Sequence, residues 1–173
     1  MVRRAIPWEG QFMPKISEKI KAYLAGFLDG DGCIMYQLVR RKDYRHGFQI
    51  RASIVFYQKT QNSQYLKGLK NLLKLGYIRD RNDGLTEYTI VGLDPVIGVL
   101  KSLKPYVILK KEHIRFAQRI NALLRGKFNL RKFIKASELV DRFQILNYSK
   151  KRTNTSKELK NYLKRHKLYP CND

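Results

Sequence analysis

The sequence predicts an α+β fold: a four-stranded antiparallel sheet with helices on one face and extra helices towards the C-terminus. Three observations predict it. Two stretches, 33–41 and 47–61, alternate apolar and polar residues with the period of a strand buried on one side. Segments of helical period, with recognisable start and stop residues, precede and follow them. The order is helix, two strands, helix, two strands, helix, then more helices, with no second copy of the opening segment.

Residues 1–14 read as an irregular arm, broken by Pro7, Gly10 and Pro14, with Trp8, Phe12 and Met13 to pack it onto the body. Ser17 is the expected N-cap of a helix running to about Asp29. Ile20, Tyr23, Leu24, Phe27 and Leu28 are its apolar positions. On another face Ala22, Gly26 and Gly30 recur every four residues, a spacing that lets a second backbone approach closely. Glycine inside a helix costs about 1 kcal/mol against alanine, so a close contact would explain Gly26.

In the first strand Ile34, Tyr36 and Leu38 point one way. In the second, Phe48, Ile50, Ala52, Ile54 and Phe56 point inward, and Gln49, Arg51, Ser53, Val55, Tyr57 and Lys59 form an open face. A helix capped by Asn62 or Ser63 follows, with Tyr65, Leu66, Leu69, Leu72 and Leu73 facing inward and Gly76 closing it. Residues 77–91 form a hairpin around Asn82-Asp83-Gly84. Asp94-Pro95 starts another helix, an acid cap before Pro at the first position, and Pro105 ends it. Further helices are expected over 110–125, 129–148 and 156–166. The chain thus divides into an arm (1–14), one main domain (15–150) and a basic helical tail (151–173).

Charge narrows the function. Among 173 residues, 36 Lys and Arg face 14 acids, a net charge of +22 that favours a polyanionic partner, nucleic acid first. The apolar runs are short and interrupted by Lys or Arg, so no membrane span is expected. The first residues lack a secretory apolar core, and an intracellular, DNA-containing compartment is expected. Cys33 and Cys171 form no CxxC pair, and His46, His113 and His166 have no metal-ligand spacing. Gly76-Tyr77-Ile78 and Glu158-Leu159-Lys160 are fragments of other nuclease patterns without their required context.

Leu24 to Gly32 reads L-A-G-F-L-D-G-D-G. It places Asp29 and Asp31 at a helix C-terminus, which already carries about half a negative charge. A divalent cation would make such acids tolerable, and carboxylate with backbone carbonyl suits Mg²⁺. As a local turn, Gly30-Asp31-Gly32 would need no metal. The nine residues closely resemble the motif of the LAGLIDADG homing endonucleases, and the resemblance covers roughly residues 15 to 150.

The resemblance implies an αββαββα unit with a saddle-shaped sheet. With a single motif, the chain is similar to the homodimeric, intron-encoded branch, whose motif helices meet through positions equivalent to Ala22, Gly26, Phe27 and Gly30. The function implied is Mg²⁺-dependent hydrolysis of both strands of a long pseudo-palindromic DNA site. Mn²⁺ or Ca²⁺ could also occupy the metal position. An RNA-binding splicing cofactor for the host intron and a non-cleaving DNA-binding regulator are the rival readings on the same scaffold.

Carried over by position, the metal-binding acid is Asp31 with the Gly30 carbonyl beside it, while Asp29 is structural. Gln58 falls where the family positions a water, and Lys110, or Lys111 one residue on, falls near the scissile phosphate. Relatives carry a basic residue where this chain has Asn62. The outer sheet face supplies candidates for base readout in a major groove: Gln37, Tyr44, Gln49, Arg51, Ser53, Tyr57, Arg79, Arg81, Glu87 and Thr89. Lys150, Lys151 and Arg152 are candidate phosphate contacts.

Overall fold

The computed structural model describes residues 14, 16–148 and 153–170. The elements are α1 (Glu18–Asp31), β1 (Gly32–Arg40), β2 (Phe48–Lys59), α2 (Ser63–Leu73), β3 (Tyr77–Asp80), β4 (Leu85–Val91), α3 (Leu93–Leu103), α4 (Lys111–Leu124), α5 (Leu130–Leu146) and α6 (Ser156–Arg165). The strands form one antiparallel sheet in the order β1-β2-β4-β3. The expected inward residues of β1 and β2 are all buried, packed with Tyr88, Ile90 and the inner faces of the helices in a single core. Burying these side chains, each worth about 1.5–3 kcal/mol, drives the assembly.

Ser17 caps α1, its hydroxyl accepting from Ile20 N–H at 3.4 Å. The helix runs two residues past Asp29, and β1 begins at once at Gly32. The junction is tight: a Cβ on Gly32 would lie 2.7 Å from Leu28 Cα, so only glycine fits between the helix and the strand.

Several local expectations are corrected. Tyr65 points outward, 61% exposed, while Leu66 and Leu73 hold α2 to the core. Lys74 closes α2 in the left-handed conformation, its N–H donating to Lys70 O. Gly76 instead has φ +70° at the entry to β3, where any side chain would collide with the Thr89 carbonyl. Gly92, at φ 114°, is the N-cap of α3, leaving Asp94 in the first turn and Pro95 third. In the 82–84 turn only Gly84 takes a positive φ.

The open sheet face is more closed than the alternation suggests. Ser53 and Thr89 are each 4% exposed and Glu87 8%. They sit on the central strands β2 and β4, flanked by β1 and β3. At the other end, α6 docks through Leu159 and Leu163, both fully buried, with Tyr162 against Phe48.

Candidate active site and nucleic-acid face

The two acids of the opening motif go to different places. The Asp29 carboxylate turns towards the segment before α4. It accepts from Ile108 N–H (2.6 Å) and Leu109 N–H (3.0 Å) on one oxygen, and from Lys110 N–H (3.0 Å) on the other. Lys110 then returns its ammonium to the Asp29 carbonyl at 2.7 Å. The N-cap residue of α4, Lys110, offers no side-chain cap of its own. An acid at the negative end of α1 is thus stabilised by three main-chain N–H groups of the turn that leads into α4, next to the positive end of that helix.

Asp31 faces outward. It is exposed and makes no hydrogen bond or ion pair with another described residue. With Gly30, Tyr57, Gln58 and Lys59 it lines an open hollow of about 420 Å³. Strand register explains the meeting: Gly32 pairs with Phe56, so Gln58, two residues further, lies beside the end of α1. The Gln58 carbonyl oxygen accepts from Lys59 N–H at 2.9 Å, which fixes how its amide is turned.

Lys110 is half-buried and anchored to Asp29, whereas Lys111 is exposed at the first turn of α4. Behind them His113 Nε2 meets Asn147 Oδ1 at 2.9 Å, and Asn147 Nδ2 donates to Ile34 O at 2.9 Å. Asn147 therefore ties the first turn of α4 to β1, three residues from Asp31. Burial raises the Cys33 thiol above its ordinary range, against the opposing pull of Lys110, so Cys33 is a neutral neighbour of the site.

Among the described residues no group of three or more His, Cys, Asp or Glu is placed to hold a metal. The hollow offers instead one free carboxylate and main-chain oxygen, hard donors that suit Mg²⁺ or Ca²⁺. These residues fit part of a coordination shell, and the remainder must come from outside one copy.

Ala22, Gly26 and Gly30 do form an open strip. All three are exposed, and nothing lies within 4 Å of where a Cβ on Gly26 or Gly30 would sit. Phe27 is half-buried, with ring centroids 6.2 Å from Tyr23 and 5.3 Å from Phe56. Tyr23, read among the apolar positions of the helix, is instead 60% exposed beside this strip, and Ile108 (73%) and Leu109 (74%), also exposed there, were not named from the sequence. Asp29 brings Ile108 and Leu109 there across more than seventy residues of chain, a link with no local signal.

On the sheet, Gln37 and Arg51 are exposed cross-strand partners and Gln49 lies half-buried beside them. Tyr44 projects from the β1–β2 loop, under Arg41, 42% exposed. Arg79 pairs with Glu87 at 2.8 Å and Arg81 with Asp83 at 2.6 Å. Glu87, expected as a free acceptor, is therefore neutralised, and with Ser53 and Thr89 it forms the floor of the face rather than its reading edge. Burial, then the nearby Cys33 and Glu87, raise the Tyr57 phenol, which stays protonated. Lys150, Lys151 and Arg152 lie outside the described residues.

An open antiparallel sheet beside a glycine-striped helix that ends in a free carboxylate defines a class of protein. Residues 24–123 match the LAGLIDADG endonuclease family model, and the chain belongs to that family. It is 34% identical over 144 residues to DNA endonuclease I-CvuI of Chlorella vulgaris, covering 83% of this chain and 89% of that one. It is 31% identical over 147 residues to DNA endonuclease I-CreI of Chlamydomonas reinhardtii, covering 84% and 90%. A crystal structure of I-CvuI with its target and Ca superposes with a TM-score of 0.83 at 32% identity, over 88% of this chain and 97% of that one. I-CvuI has also been solved on the I-CreI target with Mg, the DNA uncleaved. The fold extends to an archaeal intron-encoded homing endonuclease, I-Vdi141I, with a TM-score of 0.75 at 16% identity over 88% of this chain and all of that one. No helix among the described residues is long and apolar enough to cross a membrane.

Proposed function

We propose that this chain is a site-specific homing endonuclease that hydrolyses both strands of a long pseudo-palindromic DNA site as a homodimer, with Mg²⁺. The observation that carries this reading is the free Asp31 carboxylate at the end of α1, in one hollow with Gln58 and beside the anchored Lys110. The solved complexes of I-CvuI with DNA, Mg and Ca support both the substrate class and the cation.

In this reading Asp31 and the Gly30 carbonyl hold the metal; a bound Mg²⁺ lowers the pKa of water and offsets charge on the phosphate. One copy supplies a single free carboxylate, so the same acid of a second copy and the phosphates would complete the shell. Packing Gly26 on its counterpart brings the two acids together. Gln58 orients the attacking water through its amide. The Lys110 ammonium, fixed from behind by the Asp29 carbonyl, supplies positive charge at the cleaved phosphate. Asp29 acts through Lys110 as a positioning residue. The exposed Tyr23, Ile108 and Leu109 extend the dimer contact, and residues 15–150 with α6 docked on them form the working unit.

Gln37, Gln49, Arg51, Tyr44 and the Arg79 and Arg81 side chains read or clamp the duplex. Lys150, Lys151 and Arg152 add phosphate contacts. Selecting cleaved molecules from a randomised duplex library, with Mg²⁺ and with a chelator, tests the whole reading. A discrete, nearly palindromic site recovered only with Mg²⁺ is expected; no enrichment over the chelator arm refutes it.

A further inference from the structure

The chain that leaves α5 is fastened beside the candidate site. β1 is an edge strand of the sheet. Arg41 N–H donates to Gly47 O at 2.9 Å, and hydrogen-bonded pairs alternate from there. Ile34, opposite Ile54, therefore turns its carbonyl away from β2. Asn147, the C-cap of α5, donates from Nδ2 to that outward carbonyl and meets His113 Nε2 with Oδ1, both at 2.9 Å. Ile34 follows Asp31 by three residues, and His113 follows Lys110 by three. One side chain thus ties residue 147 to the strand that leaves the free carboxylate and to the helix that follows the anchored lysine. Three residues of strand span about 10 Å, the axial rise of about three base pairs. Tyr148, the next residue, lies within a few base pairs of a phosphate held at Asp31.

Tyr148 is placed against two ordinary preferences. It has φ +50°, in the left-handed region that disfavours a bulky side chain and that glycine or asparagine usually fills after a helix. No other aromatic residue among those described has a positive φ. Its side chain is also 92% exposed, the most open of the large apolar and aromatic side chains described. It makes no hydrogen bond or ring contact with another described residue. The backbone beneath it is nevertheless fixed. Asn147 N–H donates to Phe143 O at 3.0 Å and Tyr148 N–H to Ile145 O at 3.1 Å, and the Asn147 side chain holds the turn to β1. The fold therefore presents a ring that it does not itself use. Strained non-glycine residues of this kind cluster where a ligand is clamped.

Chemistry names the occupant. A phenol with both faces open packs on flat or apolar surface, and in a duplex that surface is deoxyribose and the faces of bases. The duplex whose phosphate sits at Asp31 is the partner that passes this point.

We infer that Tyr148 is a DNA-contacting residue, whose ring packs into the target duplex beside the cleaved phosphates and adds affinity through an uncharged contact. The inference rests on the endonuclease reading and adds to it a residue outside the sheet face.

The test uses the full chain on the selected duplex, with Ca²⁺ in place of Mg²⁺ for binding. Asparagine suits the left-handed backbone, so the urea midpoint of Tyr148→Asn should hold or rise. Its affinity should fall about tenfold, with the slope of log affinity against log salt unchanged, since no charge is removed. Tyr148→Phe keeps the ring face and should bind within about twofold of the parent. In hydroxyl-radical footprints, sugars within a few base pairs of the cleaved phosphates should be protected by the parent and by Tyr148→Phe, and opened in Tyr148→Asn. Parent affinity with an unchanged footprint in Tyr148→Asn overturns the inference. So does a lowered urea midpoint, a reduced salt slope, or lost protection confined to the ends of the site. Tyr148→Phe as weak as Tyr148→Asn also overturns it, by assigning the contact to the hydroxyl. Cleavage of the same duplex by the parent with Mg²⁺ checks the endonuclease reading separately. An active parent beside a Tyr148→Asn variant of parent affinity overturns this inference alone, and an inactive parent overturns both.

Discussion

Replacing Asp29 by asparagine separates positioning from chemistry. The carboxylate accepts three backbone N–H bonds, two on one oxygen and one on the other. Asparagine keeps one acceptor oxygen and puts an NH₂ in place of the other, so at least one N–H loses its partner and gains a clash. A hydrogen bond to a charged group contributes about 1.5–3 kcal/mol. Ile108 and Leu109 are exposed, so water recovers part of the loss, and a destabilisation of about 1–2 kcal/mol is expected. The larger effect is on Lys110, whose ammonium depends on the same segment. We expect a fall in cleavage rate of about 10- to 100-fold, or 1.4–2.7 kcal/mol, measured in single turnover well below the melting temperature, with DNA affinity retained. The assay is a double-mutant cycle with Lys110→Met. If Asp29 works through Lys110, the second substitution costs little once the first is present. Strictly additive rate losses would refute the positioning role.

Gly26→Leu should block close approach of two α1 helices, and sedimentation at micromolar concentration should show a shift from dimer to monomer; an unchanged dimer would sink the interface. For His113, burial and then the nearby Lys110 hold the imidazole below its ordinary 6.5, against the Asn147 hydrogen bond. The unfolded chain therefore takes up more protons as pH falls. The stability is present above about 6.5 and is lost as pH drops through that value towards the folded pKa. The urea midpoint should fall between about pH 7.5 and 5.5, and His113→Gln should flatten the fall; an identical profile would exclude His113. His46 is also depressed, by burial and Arg45, and leaves a residual slope.

Most of the scaffold was legible because it rests on local rules. Alternation placed β1 and β2 within two residues of their bounds, and Ser17 announced α1 by a cap that the structure contains. Where the reading failed, a distant contact had replaced a local signal. Tyr65 fits an inward helical position by spacing but lies outside. Gly76 looked like a helix stop but is needed for the close passage of the Thr89 carbonyl. Glu87 looked available until Arg79 closed on it from the next strand. In the candidate site, Asp31 and Gln58 could be named from the motif and the strand end. The tie from Asp29 to residues 108–110 could not, because nothing near either segment marks the other. It also answers why a helix should end in two acids: one belongs to the start of another helix, and only the other is left free.

That division can be tested directly on the selected target. Asp31→Asn keeps the size of the side chain, and Asp31 has no partner among the described residues to lose. Full DNA binding, an unchanged dimer and no detectable cleavage with Mg²⁺ are expected. Cleavage by Asp31→Asn at the parent rate would contradict the claim that this carboxylate holds the metal.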